Sequence, residues 1–389
     1  MNHSNQSGKI LRFGATVMLT TSIIFRPAQD AMAKNEDLTP DTTEQAFWTT
    51  SCVAAVRVEA VRKDGGDRDH FALEMIQSIS EGAGKPPREL PASRFWFGLE
   101  RSDWPKVVPG DVLLIFYDHS SPRCMVVAEK IQGDHARHPQ VAPLVRIAAI
   151  RAAGEPIAAL REGALDGEKT VAAYCLKRLL AKHSQQIPAE FVPRLRKQAG
   201  DEAIAPKVRL LSIRLAAYVA AGGDAAIAAE EERRWLCASI RDSKSCELLQ
   251  LLPLARRLWE LPPHRRENVE FLTALVTDQK LRTAVRAAAA DTLPYEQAFC
   301  FTSPDALSDE VLRALVSLLD DDDSYLRALG AGHVKRVCIQ SSHRELCRRY
   351  FVASRAAIEK RLAAERDESA RFHLKAHLES IDQTVRQGP

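Results

Sequence analysis

No Gly-x-Ser-x-Gly elbow, no Gly-x-x-x-x-Gly-Lys loop and no Gly-x-Gly-x-x-Gly turn occurs anywhere in the 389 residues. Those gaps remove the local signatures of α/β-hydrolase, P-loop and dinucleotide chemistry. The eight cysteines contain no Cys-x-x-Cys, which excludes a thioredoxin-type redox motif. A surplus of one charge sign is missing as well. Beyond residue 33 there are 51 Lys/Arg against 50 Asp/Glu, a net of +1. A dedicated nucleic-acid binder needs a concentrated basic surface, so none is expected here. One apolar run is present, and it is short.

That run is Ala15 to Phe25, 11 residues without a charge, preceded by Lys9 and Arg12 and followed by Ala31-Met32-Ala33. Basic region, short apolar stretch and small-x-small site together read as a secretory signal peptide cut before Lys34. A membrane span needs about 20 apolar residues. The mature chain is therefore expected to be exported, without a transmembrane segment, and periplasmic or secreted. It has no Asn-x-Ser/Thr site, which favours the periplasm.

Two composition regimes meet near residue 138. Residues 34–137 hold 13 basic and 17 acidic side chains, and residues 138–389 hold 38 and 33. In the first regime apolar residues alternate over short stretches. The expected strands are 52–61, 70–79, 93–100, 111–117 and 125–131, separated by Asp64-Gly65-Gly66-Asp67, Gly82 to Pro87 and Pro109-Gly110. Five short strands in about 85 residues suggest a small closed or half-closed barrel. Phe95-Trp96-Phe97, Trp104, Phe116 and Tyr117 supply its aromatics. Strand number, Cys52 and the Pro-Gly-Asp-Val-Leu-Leu-Ile-Phe-Tyr stretch resemble the OB-like modules of tissue-inhibitor and netrin type, but the N-terminal Cys-x-Cys of the inhibitors is absent.

In the second regime alanine, leucine and arginine take over, with a helical period. Leu281, Ala284, Val285 and Ala288 fall on one face, as do Val208, Leu211, Leu215 and Val219. Six helices of this kind open at Val171, Val208, Ser245, Leu281, Leu326 and Ala370, spaced by 37, 37, 36, 45 and 44 residues. Each has a partner helix before it, such as 189–197, 225–240, 268–276, 309–319 and 347–364. Self-similarity at this period, with two helices per unit, signals a solenoid in which neighbours must stack to bury their stripes. In four units an apolar-Arg dipeptide enters the second helix after an Asp-containing turn: Val208-Arg209, Leu281-Arg282, Leu326-Arg327 and Ala370-Arg371. This pattern resembles the HEAT-repeat family over about 250 residues. Ala172 and Cys246 stand where two further arginines would be. The resemblance implies an α-solenoid whose second helices line a concave face and which holds other macromolecules.

The expected organisation is thus a signal peptide (1–33), a small all-β, OB-like barrel (34–137) and an all-α HEAT-like solenoid of about six helix pairs (138–389). The expected function is a non-enzymatic exported scaffold or adaptor, binding a protein partner of unknown identity, possibly acidic, with no cofactor and no nucleic acid. Arg209, Arg282, Arg286, Arg327 and Arg371 are its candidate contact residues, with Arg286 expected to be more exposed than Arg282; for Arg209, Arg282, Arg327 and Arg371 the alternative is a structural ladder in which each pairs with turn aspartates. The alternative is a metal-dependent enzyme or an inhibitor module with its site on the barrel, where His135 and His138 would be metal ligands. In an exported chain the cysteines are expected to pair as Cys52-Cys124, Cys237-Cys246 and Cys338-Cys347. Cys175 is expected in the core and Cys300 in a loop. The four carboxylates Asp320 to Asp323 end on Asp323, read as a helix N-cap rather than a calcium ligand.

Overall fold

The structure, a computed structural model, describes residues 52–64, 68–80, 89–91, 95–96, 107–117, 126–131, 141–245, 247–261, 264–293, 306–340, 354–356 and 358–386. The expected signal peptide, His135, His138, Trp104, Cys124, Cys246, Cys300 and Cys347 lie outside these residues.

Six strands form one sheet: β1 (Cys52–Asp64), β2 (Arg68–Ser80), β3 (Glu89–Pro91), β4 (Phe95–Trp96), β5 (Val112–Tyr117) and β6 (Val126–Ile131). Their order is β3-β2-β1-β5-β6-β4. Strands β1 and β2 make a long antiparallel hairpin from Val53 opposite Ser80 to Asp64 opposite Arg68, with bulges at three points along it. Strand β5 pairs antiparallel with β1 and β6, while β4 runs parallel to β6. The sheet is open, and this corrects the expected barrel. Its two edges are strands of three and two residues, and no pairing joins them among the described residues. Of the expected strand at 93–100, Phe95–Trp96 are described and form β4, while 93–94 and 97–100 lie outside the described residues.

An open sheet still needs cover on both faces. Val53 to Val56 in the central strand are all at most 1 % exposed. One face sends Val53, Ile79, Leu114 and Ile131 into a core shared with Val141, Leu144 and Ile147 of the first helix, α1 (Val141–Ala152). The other gathers Ala54, Val56, Val58, Phe71, Leu73, Leu113 and Ile115 into a second cluster. A helix, not a closing strand, therefore completes the larger core.

Beyond α1 the described residues form six helix pairs stacked as a solenoid, at the period read from the sequence. The first four pairs are α2 (Ile157–Ala164) with α3 (Lys169–Arg178), α4 (Val192–Gly200) with α5 (Pro206–Ala220), α6 (Ala225–Arg241) with α7 (Leu248–Glu260), and α8 (Arg265–Thr277) with α9 (Thr283–Thr292). The fifth is α10 (Ala306–Ser317) with α11 (Ser324–Gln340), and the sixth is helical residues 354–356 and 358–364 with α12 (Glu368–Arg386). The second helices stack in sequence, α3 on α5, then α7, α9, α11 and α12. Helix α9 shows why small residues matter there: Ala284, Ala287, Ala288, Ala289 and Ala290 are all buried, so the helix is covered nearly all round. At 25 cal/mol per Å² of apolar burial, such stacking rather than intrinsic helicity holds each unit in place. Helix α5 is covered in the same way from Val208 to Ile213.

Candidate functional site

Each of the six pairs turns on the same device. A side-chain oxygen accepts the backbone N–H two residues further on: Asp166 from Glu168 (2.9 Å), Asp201 from Ala203 (3.0 Å), Ser243 from Ser245 (3.1 Å), Asp278 from Lys280 (3.0 Å), Asp321 from Asp323 (3.0 Å) and Glu365 from Asp367 (3.1 Å). Aspartate suits this because its short side chain closes the ring that mimics a backbone turn. The same residues sit in the turn between the two helices of a pair: Asp201 and Asp278 close α4 and α8, and in every pair the second helix opens three or five residues after the turn residue. Asp323 then receives Tyr325 N–H at 2.9 Å, which makes it the helix cap read from the sequence.

The turns are tied to one another along the solenoid. Arg146 of α1 reaches Asp166 at 2.5 Å. Gln198 donates to Ala164 O at 2.9 Å, and Glu202 accepts from Ser243 Oγ at 2.6 Å and from Lys244 N at 2.9 Å. Arg282 donates to Lys244 O. Arg286 pairs with Asp321, and Thr283 donates to Asp323 at 2.6 Å. Arg327 Nε meets Glu365 at 2.5 Å while its NH1 donates to Asp321 O and Asp322 O. Burial and these hydrogen bonds hold charges that would be costly if unpaired. With Arg327 as its main partner, Glu365 ionises at about 2.

This spine absorbs most of the arginines expected to contact a partner. Arg209, Arg286 and Arg327 are 2 %, 6 % and 9 % exposed, whereas Arg282 and Arg371 are exposed. The expectation that Arg286 is the outer member of its pair is reversed. The reason is register. Arg209 Nε donates to Ala199 O and Arg286 Nε to Val276 O, each ten residues back and each eight residues after its turn aspartate. Arg286, not Arg282, is therefore the counterpart of Arg209, and the Leu281-Arg282 dipeptide lies one helical turn early. Arg209 differs in one respect: Ser243 stands in the next turn where Asp321 and Glu365 stand later. Its NH1 has no hydrogen-bond partner, and burial depresses the basicity of the guanidinium.

A second polar line crosses the helices. Glu232 of α6 accepts Arg257 Nε at 2.7 Å, with Arg214 at 3.9 Å, and Asp291 of α9 lies 3.5 Å from Arg256 and 3.2 Å from His333. A third cluster escaped the sequence reading altogether. Glu155 follows Gly154 between α1 and α2, and both have positive φ, +56° and +80°. The left-handed backbone of a non-glycine residue costs about 1–3 kcal/mol. Tyr174 OH donates to the Glu155 carboxylate at 2.6 Å, Arg178 pairs with it, and Lys182 lies at 3.4 Å. Burial opposes ionisation of Glu155, but the Arg178 and Tyr174 hydrogen bonds outweigh it and hold its pKa at about 2. Nothing local in Gly-Glu-Pro announces a carboxylate gripped from a helix almost 20 residues away.

The two cysteines Cys175 and Cys237 differ in burial. Cys175 is fully buried, as expected, and loss of solvent pushes its thiol up to about 12. Cys237 carries a free thiol, and Cys246, its expected partner, lies outside the described residues. Cys237 lies on α6 near Arg233 and Arg241, while the chain beyond α6 is held toward Glu202 by Ser243 and Lys244. Among the described residues, no group of three or more His, Cys, Asp or Glu is placed to hold a metal ion. None of the described helices is long and apolar enough to cross a membrane.

No family model matches the chain, and no curated protein matches it. Among solved structures, an engineered protein from a structural-genomics programme aligns at 14 % identity, covering 64 % of this chain and 93 % of its own, with a TM-score of 0.27. A designed armadillo repeat protein aligns at 13 % identity, covering 58 % of this chain and 100 % of its own, also at 0.27. The helical-repeat architecture of this chain rests on its own six capped turns and the stacked helices between them.

Proposed function

We propose that this protein is a non-enzymatic scaffold that binds another protein through its HEAT-like solenoid, and that it works outside the cytoplasm. The supporting observation is the spine of linked turns. Six units tied end to end form a preorganised surface, and preorganisation lowers the entropic cost of association. Charges that would otherwise serve as contacts are spent on tying units together, leaving the first helices as the outward layer. The basic start, the Ala15 to Phe25 run and Ala31-Met32-Ala33 support export with cleavage after Ala33.

The test is in-cell cross-linking of the full chain followed by identification of what is captured, with Edman sequencing of the purified product. One dominant protein cross-linked to helices of the solenoid, and a mature N-terminus at Lys34, are expected. Cross-links confined to the sheet, or none, would remove the solenoid from the function. An intact Met1 would remove export.

A further inference from the structure

The spine binds its arginines inward, but the first helices carry a different set. On α2, Arg161 places its guanidinium 5.1 Å from the centre of the Phe191 ring, and Arg194 stands 5.8 Å from the same ring. Arg196 lies 4.5 Å over Trp235 of the next first helix, α6. Arg241, at the end of α6, lies 5.0 Å over Phe271 of α8. Each unit in this row thus reaches an aromatic ring of the unit after it. At these distances the ring face attracts the cation and fixes the plane of the guanidinium. No carboxylate pairs with Arg161, Arg194, Arg196, Lys197 or Arg241 among the described residues.

The helical period places these groups together. Val192, Leu195 and Ala199 are the buried stripe of α4. At 100° per residue, Lys197 then lies on the opposite crest, with Arg194 on the flank toward α2 and Arg196 on the flank toward α6. Arg194, Arg196 and Lys197 are all exposed. Glu162 and Glu190 are the carboxylates on the same two outer segments, against four cations. The charge of the whole helical region points the same way. Residues 141–200 hold ten Lys/Arg and five Asp/Glu, whereas residues 201–389 hold 28 of each. All of the basic surplus therefore lies in α1, the first unit and the first helix of the second.

We infer that this crest, Arg161, Arg194, Arg196 and Lys197 with the Phe191 and Trp235 rings beneath, is a docking surface for an acidic segment of a partner protein. The inference rests on the scaffold reading and names its surface and the chemistry of its partner. A guanidinium over a ring face leaves in-plane N–H donors free to grip a carboxylate with two parallel hydrogen bonds; on Arg161 the Nε is buried without a hydrogen-bond partner, so its two terminal nitrogens would form that pair. The balanced charge beyond residue 200 disfavours a long polyphosphate, which would meet as many carboxylates as cations.

The probe is a fluorescein-labelled twenty-residue oligoglutamate, followed by anisotropy at about 50 mM salt with the full mature chain. Saturable binding is expected, and R161Q/R194Q/R196Q should weaken it at least tenfold. R161K/R194K/R196K keeps the net charge but loses the stacked fork, and should still weaken binding about threefold or more. W235L removes the ring under Arg196 without touching any charge and should do the same, with circular dichroism confirming its fold. R282Q/R371Q, exposed arginines away from the crest, should change little. Absence of saturable binding, equal losses in crest and control variants, an unaffected lysine variant, or tighter binding of a labelled oligothymidylate would each overturn the inference. A cross-linked partner in cells whose capture is unchanged by the glutamine variant would overturn the crest alone and leave the scaffold intact. Oligoglutamate binding without any cross-linked protein would overturn the scaffold reading alone.

Discussion

Replacing Arg327 by Met should cost about 3–5 kcal/mol, because it strands a buried carboxylate rather than because it removes an attraction. Glu365 is 8 % exposed, and without Arg327 its remaining donors are the Arg366 and Asp367 N–H groups, at 3.0 and 3.1 Å. Asp321 O and Asp322 O lose their guanidinium donor in the same step. Proton linkage gives an independent estimate. A carboxyl held at about 2 rather than its ordinary 4.5 contributes roughly 3 kcal/mol at neutral pH. The shift is downward, so that stability is complete above about pH 4.5 and is lost as pH falls toward 2. R327M should therefore be far less stable than wild type at pH 7, and the gap should close through that window. R327M/E365Q should recover part of the loss, since it removes the stranded charge. Solenoids unfold in segments, so the assay is hydrogen exchange resolved over α11 and α12, with urea unfolding at pH 7 and pH 2.5 as the global check. A cost below about 1 kcal/mol at pH 7, or one independent of pH, would refute the reasoning.

Arg286→Glu should place a carboxylate against Asp321 in a buried turn and unfold the adjoining units, while Arg371→Glu, on the exposed side, should shift melting by no more than a degree or two; melting curves of the pair decide. Two glycines of α11 make a matched test. A methyl at Gly330 would lie 2.7 Å from Leu318 Cβ and 3.0 Å from Leu315 O, so G330A should destabilise by about 1–3 kcal/mol. At Gly332 the nearest atom is His373 Nδ1 at 4.0 Å, so G332A should be neutral or stabilise by up to about 1 kcal/mol through helix propensity. E155Q should lower stability at pH 7, and its deficit relative to wild type should shrink between pH 4.5 and 2, as read from urea midpoints.

The six helix pairs were legible because burial forces a period on the residues that point inward. Leu281, Ala284, Val285 and Ala288 announce α9 whatever packs against it. The turn aspartates were legible too, since Asp278 and Asp321 act on N–H groups two residues away. Local chemistry leaves a local trace. Whether the strands close into a barrel was not legible, because alternation is the same in an open sheet and a closed one. That was decided by α1 covering the face that carries Val53 and Leu114. The fate of each arginine also lay beyond the sequence. Arg282 and Arg286 are one turn apart, and only the neighbouring turn at Asp321 selects which is buried. Glu155 shows the limit most clearly: its partners Tyr174 and Arg178 come from another helix, and no pattern within the Gly-Glu-Pro stretch encodes them. Periodicity thus determined the elements and their repeat, while contacts between residues distant in the chain decided closure, register and which charges face outward.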